Sequence, residues 1–112
     1  MDLHKQILGT ISSVQVQEVK VEEWGDGPFF VKAMSLSENR EWAKFLKDEN
    51  TTDHDMGVQA VIRGLCDSEG ALVFTQDDAE DIERLQASTV GTVLNAFIQF
   101  NSPNPTEDEV KN

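Results

Sequence analysis

Apolar positions along the chain switch between a period of two and a period near 3.6, and the switches mark the elements. Leu3, Ile7, Leu8 and Ile11 stand three and four apart and predict a short helix within residues 1–13, weakened by Gly9 and by Thr10-Ile11-Ser12-Ser13. From Val14 the pattern alternates. Val14 and Val16 share one parity and Val19 and Val21 the other, with Gln15, Gln17, Glu18 and Lys20 polar between them. A phase slip near Glu18 flips the side chains to the opposite face, which predicts a bulge or a bend between two short strands. Trp24-Gly25-Asp26-Gly27-Pro28 supplies a turn, since glycine tolerates positive φ and proline fixes the entry to the next extended segment. Phe29 to Met34 then pairs back, giving an antiparallel hairpin over residues 14–34. A lone hairpin is marginal in water, so its apolar face, with Trp24 and one of Phe29 or Phe30, must rest on helices or on another subunit.

The remainder reads as helical. Ser35 with Glu38 forms a capping box, or a helix starts at Ser37, and in either case Trp42, Phe45 and Leu46 share one face. Asp48 to Asp55 is polar without periodicity and predicts a surface loop. Val58, Val61, Ile62 and Leu65 mark a second helix face. A connector follows, in which Cys66-Asp67-Ser68-Glu69-Gly70 is an acidic turn and Leu72-Val73-Phe74 a short apolar strand, before Thr75 and Asp78 cap the next helix. That helix runs from Gln76 to about Gln86 with Ile82 and Leu85 inward, and Ser88 caps a last helix over Thr89 to Phe100. Val90, Val93, Leu94 and Phe97 repeat one face, while Ala96, Ile98 and Phe100 widen it beyond a single contact. The pattern predicts an α+β fold, mostly helical: a hairpin packed on about four helices, with residues 1–101 as one domain, 36–101 as its helical body, and 102–112 as a disordered tail carrying two of the three prolines.

Charge and composition then remove whole classes of function. The formal net charge is -12, so the surface repels phosphate backbones and anionic headgroups, and neither nucleic acid nor membrane is an expected partner. Cys66 is the only cysteine, which rules out an internal disulfide and fits a reducing compartment. No apolar run approaches a membrane span, and the amino end has no basic segment followed by an apolar one.

Candidate chemistry is sparse. Asp67, Glu69 and Gly70 resemble part of a calcium loop, but placing Gly70 sixth puts Leu65 first and Gln76 twelfth, so the leading carboxylate and the bidentate glutamate are both missing. Asp67 and Gly70 instead read as a structural turn, and Thr75 as a helix cap. Asp77, Asp78, Glu80, Asp81 and Glu83 crowd a helix start, where carboxylates complement the macrodipole and cap free N–H groups. His4 and His54 are isolated. No metal or cofactor site and no enzymatic constellation is expected; the residues expected to meet other proteins are Trp24, Phe29, Phe30, Val31, Phe97 and Phe100.

Several segments together resemble a known family. Trp24 with its glycine turn, Phe30-Val31-Lys32-Ala33-Met34-Ser35 before a helix, Gly64-Leu65-Cys66-Asp67 with Gly70 and Leu72-Val73-Phe74-Thr75, and Leu94 to Asn101 are similar to the tail assembly chaperones of long-tailed bacteriophages. The resemblance covers Val14 to Asn101 and departs from the family pattern at Glu38-Asn39-Arg40-Glu41. It implies a non-enzymatic protein of the bacterial host cytoplasm that coats the tape measure protein, recruits tail tube subunits, self-associates, and is lost from the finished virion. The competing expectation is a small acidic inhibitor or DNA mimic acting through the carboxylates between Gln76 and Arg84.

Overall fold

The computed structural model describes residues 2–102. The residues expected to form a tail lie outside it from Pro103 onward. Strand β1, Val16–Val19, pairs antiparallel with β2, Phe29–Lys32, in the register Val16 to Lys32 and Val19 to Phe29. Beyond the strand ends, the Ala33 N–H donates to the Gln15 carbonyl at 2.9 Å. Between the strands Val21 is buried and a 3-10 turn, Glu22–Trp24, hands over to Gly25 and Gly27 at φ +96° and +74°. The hairpin is therefore present, and the fold is α+β and mostly helical.

The sheet has a third strand that the periodicity hides. Helix α3, Asp53–Gly64, ends one residue before Leu65, and Leu65–Cys66 forms β3 on the free edge of β2, with Val31 opposite Leu65 and Phe30 opposite Cys66. Leu65 is buried whether the chain there is helix or strand, so its spacing from Val58, Val61 and Ile62 carries no information about the switch. The edge N–H and C=O groups of β2 need partners, and β3 provides them. The segment expected as a strand, Leu72-Val73-Phe74, forms only a single bridge, Leu72 to Cys66, and a Val73 N–H bond to the Leu65 carbonyl at 3.1 Å.

Alternation places Val19, Phe29, Val31 and Leu65 on the sheet face that meets the helices. Against that face lies α5, Ala87–Asn101, which contributes Val93 and Phe97 to the core. Helices α3 and α5 run side by side in the same sense through two glycines. A Cβ on Gly57 would lie 2.7 Å from Val90 Cγ1, and one on Gly64 2.5 Å from Phe97 Cδ1, so each contact advances seven residues along both helices. Helix α2, Leu36–Lys47, starts at the Ser35 and Glu38 capping box, and its Trp42 meets Phe97 edge-on at 5.3 Å.

Three boundaries depart from the sequence pattern. Thr52 and Asp55 form a second capping box, so α3 begins at Asp53, inside the polar stretch expected as loop; polar residues without periodicity are here the cap itself. The acidic helix is a 3-10 turn, Gln76–Asp78, followed by one α turn, α4, Ala79–Ile82, and does not reach Gln86. The last helix starts at Ala87 with Gln86 as its N-cap, not Ser88. At the amino end, α1, Leu3–Leu8, and a 3-10 turn, Gly9–Ser12, contribute no buried residue.

Candidate functional site

The connector between β3 and α4 is tied down at both ends while its Leu72 and Val73 side chains stay outside the core. Asp67 Oδ1 accepts from the Glu69 and Ala71 N–H groups at 2.8 and 3.0 Å, and Gly70 closes the turn at φ +87°. On the far side the Thr75 N–H donates to Asp78 Oδ2 at 2.8 Å while Thr75 Oγ1 accepts from the Asp77 N–H. Both ends of Ala71 to Phe74 are thus fixed by side-chain bonds to backbone. Leu72 and Val73, adjacent large apolar residues in this ordered segment, remain 46% and 54% exposed.

Phe74 separates two apolar grooves and lines both. One, of about 450 Å³, is walled by Trp24, Phe29, Leu65, Val73, Phe74 and Leu85. Trp24 is set there by the 3-10 turn before the two glycines and meets Phe29 edge to face at 5.5 Å. The other, of about 490 Å³, is walled by Met34, Ile62, Leu72 and Phe74, with Glu38, Glu41 and Arg63 at its margin. Arg63 is held in place, its Nε donating to Gln59 Oε1 and its guanidinium lying 5.9 Å and 5.3 Å from the Trp42 and Phe45 ring centres. Gln59 and Gln76 exchange amide hydrogen bonds at 3.0 and 2.9 Å, which ties α3 to the start of the acidic segment.

A third groove, of about 590 Å³, runs between α3, α4 and α5. Val58, Ile82, Leu85, Val90 and Leu94 form its floor, with Asp53, Asp55 and Glu83 among its lining residues. Leu85 belongs to this groove and to the one beside Trp24, so the apolar lining continues from one to the next.

The sequence-predicted interface residues do not stay together. Trp24 and Phe29 share one groove. Phe30 is half-buried and belongs to the opposite face of the sheet, across from Cys66. Val31 and Phe97 are 0% exposed, so both are core residues of the subunit and offer no surface: an aromatic or β-branched residue in an apolar run has the same signature in a core as at an interface. Phe100 is half-buried against the core near the end of α5, and Ile98 is exposed. Phe74, Leu85, Met34 and the exposed pair Leu72 and Val73 were missed as site residues; the available signal was a three-residue apolar run caught between a turn and a cap, too short to be buried by its own pairing.

Two titratable groups that line these grooves are shifted from their ordinary values. Burial alone raises the Glu38 carboxyl, but the Ser35 N–H and the Lys32 ammonium, 3.0 Å away, outweigh it and hold the group below its ordinary value. Burial, and then the neighbouring Asp67 carboxylate, push the Cys66 thiol up, away from the nucleophilic thiolate. Among the described residues no three His, Cys, Asp or Glu side chains are grouped to hold a metal ion, and no buried side-chain nitrogen or oxygen lacks a partner. No helix among the described residues is long and apolar enough to cross a membrane. Shape-defined apolar grooves without an aimed polar group can take apolar side chains of another chain.

Comparison with known proteins agrees with this character. A family model described as phage tail assembly chaperone matches residues 2–112. Among solved structures, that of the bacteriophage HK97 tail assembly chaperone superposes with a TM-score of 0.56 at 18% identity, over 86% of this chain and 99% of the other, which is a likeness of fold. No curated protein sequence matches the chain.

Proposed function

The chain belongs to the phage tail assembly chaperone family, and from that premise we propose that it keeps the tape measure protein soluble by taking apolar side chains of that protein's helices into the grooves flanking Phe74. The observation that carries this reading is the fixed connector that leaves Leu72 and Val73 exposed beside half-buried Phe74, Trp24 and Phe29. Helices dock into apolar grooves through anchors three, four and seven residues apart. The acidic exterior, at a net charge of -12, keeps such a complex dispersed while its apolar surfaces are occupied.

Within this reading the protein performs no catalysis, acts in the cytoplasm of the bacterial host, recruits tail tube subunits to the coated tape measure protein, associates with further copies of itself, and is absent from the finished virion. Co-expression tests it. The soluble fraction of a tape measure fragment should rise when this chain is made alongside it, and fall back with Trp24→Ala or Phe29→Ala. A fragment equally soluble with and without the chain, or with either variant, contradicts the proposal.

A further inference from the structure

Every lysine and arginine among the described residues is either paired with a carboxylate or exposed, except Arg63. Lys32 lies 3.0 Å from Glu38 and Lys44 3.7 Å from Glu41. Lys5, Lys20, Arg40, Lys47 and Arg84 have no carboxylate partner among the described residues, and all five are exposed. Arg63 is half-buried and unpaired there, in a chain with 21 carboxylate residues to 9 lysines and arginines. The two carboxylates that share its groove are engaged elsewhere, Glu38 by Lys32 and by the Ser35 N–H at 2.8 Å, and Glu41 by Lys44.

The guanidinium is nonetheless fixed. Its Nε donates to Gln59 Oε1 at 2.9 Å, Gln59 is itself bonded to Gln76, and the planar group lies 5.9 and 5.3 Å from the Trp42 and Phe45 ring centres. Among the described residues its Nη groups make no hydrogen bond, and no buried side-chain nitrogen lacks a partner, so these donors are open to solvent at the groove margin. A guanidinium held by Nε and stacked on aromatic rings presents its Nη N–H groups side by side, the geometry that takes both oxygens of one carboxylate. We propose that Arg63 receives the carboxylate of an aspartate or glutamate on the helix that occupies this groove, one helical turn from an apolar anchor seated on Ile62, Leu72 and Phe74. The inference rests on the client binding proposed above and adds the class of residue that the client must present. The surrounding field supplies selectivity. At a net charge of -12 a client carboxylate is repelled wherever it cannot reach a cation, so the register that brings it to Arg63 is favoured and the others are opposed.

Titration calorimetry of a purified tape measure fragment into the full-length chain, at low and at high salt, tests it. Arg63→Met keeps an apolar stem over Trp42 and Phe45 and removes the guanidinium, so it should bind at least about tenfold more weakly at low salt. That gap should narrow at high salt, because screening weakens a charged contact and leaves the packing of the stem unchanged. Arg63→Lys, the substitute should Arg63→Met fail to fold, should also bind more weakly than wild type, since an ammonium is a point charge without the fork. Arg63→Glu should bind more weakly still, and exchanging the fragment's carboxylate residues for lysine one at a time should restore binding at a single position. A folded Arg63→Met chain that binds like wild type, a gap unchanged by salt, or an Arg63→Glu chain that no exchange restores overturns the proposal while leaving client binding intact. A fragment that the wild type does not bind overturns the reading beneath it as well.

Discussion

Gly64 and Phe97 are packed so closely that a β-carbon on Gly64 would lie 2.5 Å from Cδ1 of the ring. The ring cannot withdraw freely, because its other side meets Trp42 edge-on at 5.3 Å. Gly64→Ala should therefore destabilise the fold by about 1–3 kcal/mol through overpacking. Gly91→Ala is the control on the neighbouring helix: its Cβ enters open space, and removal of a helical glycine should stabilise by about 0.5–1 kcal/mol. Urea midpoints at unchanged slope measure both.

Asn101 closes the end of the sheet from the last turn of α5. Its Oδ1 accepts from the Met34 N–H at 2.7 Å, and its Nδ2 donates to the Lys32 and Phe97 carbonyls at 3.2 and 3.0 Å. Asn101→Ala strands these partly buried backbone groups and should cost about 1–3 kcal/mol. Hydrogen exchange at the Met34 amide should accelerate by more than the change in global stability alone produces. Unchanged exchange there would show that Asn101 does not hold this edge.

The Lys32 and Glu38 pair should leave a signature in acid. The Glu38 carboxyl is held below its ordinary value of 4.5, so its contribution to stability is fully present above that value and is lost as pH falls through the lower folded-state value. Glu38 is about half exposed, so the effect is small and screened by salt. The stability difference between wild type and Glu38→Gln should be constant from neutral pH down to about 5 and shrink below that, in urea titrations across pH. A difference that grows on acidification would contradict the assignment.

Cys66 should behave as a buried apolar side chain. It is 2% exposed, and burial with the adjacent Asp67 raises its thiol above the ordinary 9.0. The folded state thus favours the neutral thiol, a preference constant below 9.0 and lost as pH rises through the higher folded value. A thiol reagent at neutral pH should label the native chain only through unfolding, with a rate that follows added urea. Rapid labelling in the absence of denaturant would place the thiol at the surface.

The sequence was most legible where chemistry is local. The Ser35 and Glu38 box and the Asp67 to Gly70 turn each depend on residues within a few positions of one another, whereas the bulge expected near Glu18 is absent, because β1 pairs with β2 in unbroken register through that residue. What escaped depends on distant partners. Leu65 leaves the helix to satisfy the edge of β2, more than thirty positions earlier, and Val31 and Phe97 are core only because sheet and α5 meet. The groove followed the same rule: Trp24 and Phe29 were legible beside their turn, while Phe74 and Leu85 join them only through the path of the connector.

Calorimetric titration of a purified tape measure fragment into the full-length chain, compared with the Leu72→Glu/Val73→Glu double variant, tests the central claim most directly. Both positions are exposed in the free chain, so the variant should keep the wild-type unfolding temperature. The wild type should bind with a negative heat-capacity change, the mark of apolar burial, and the folded variant should bind at least about tenfold more weakly. Equal affinity for both proteins would contradict it.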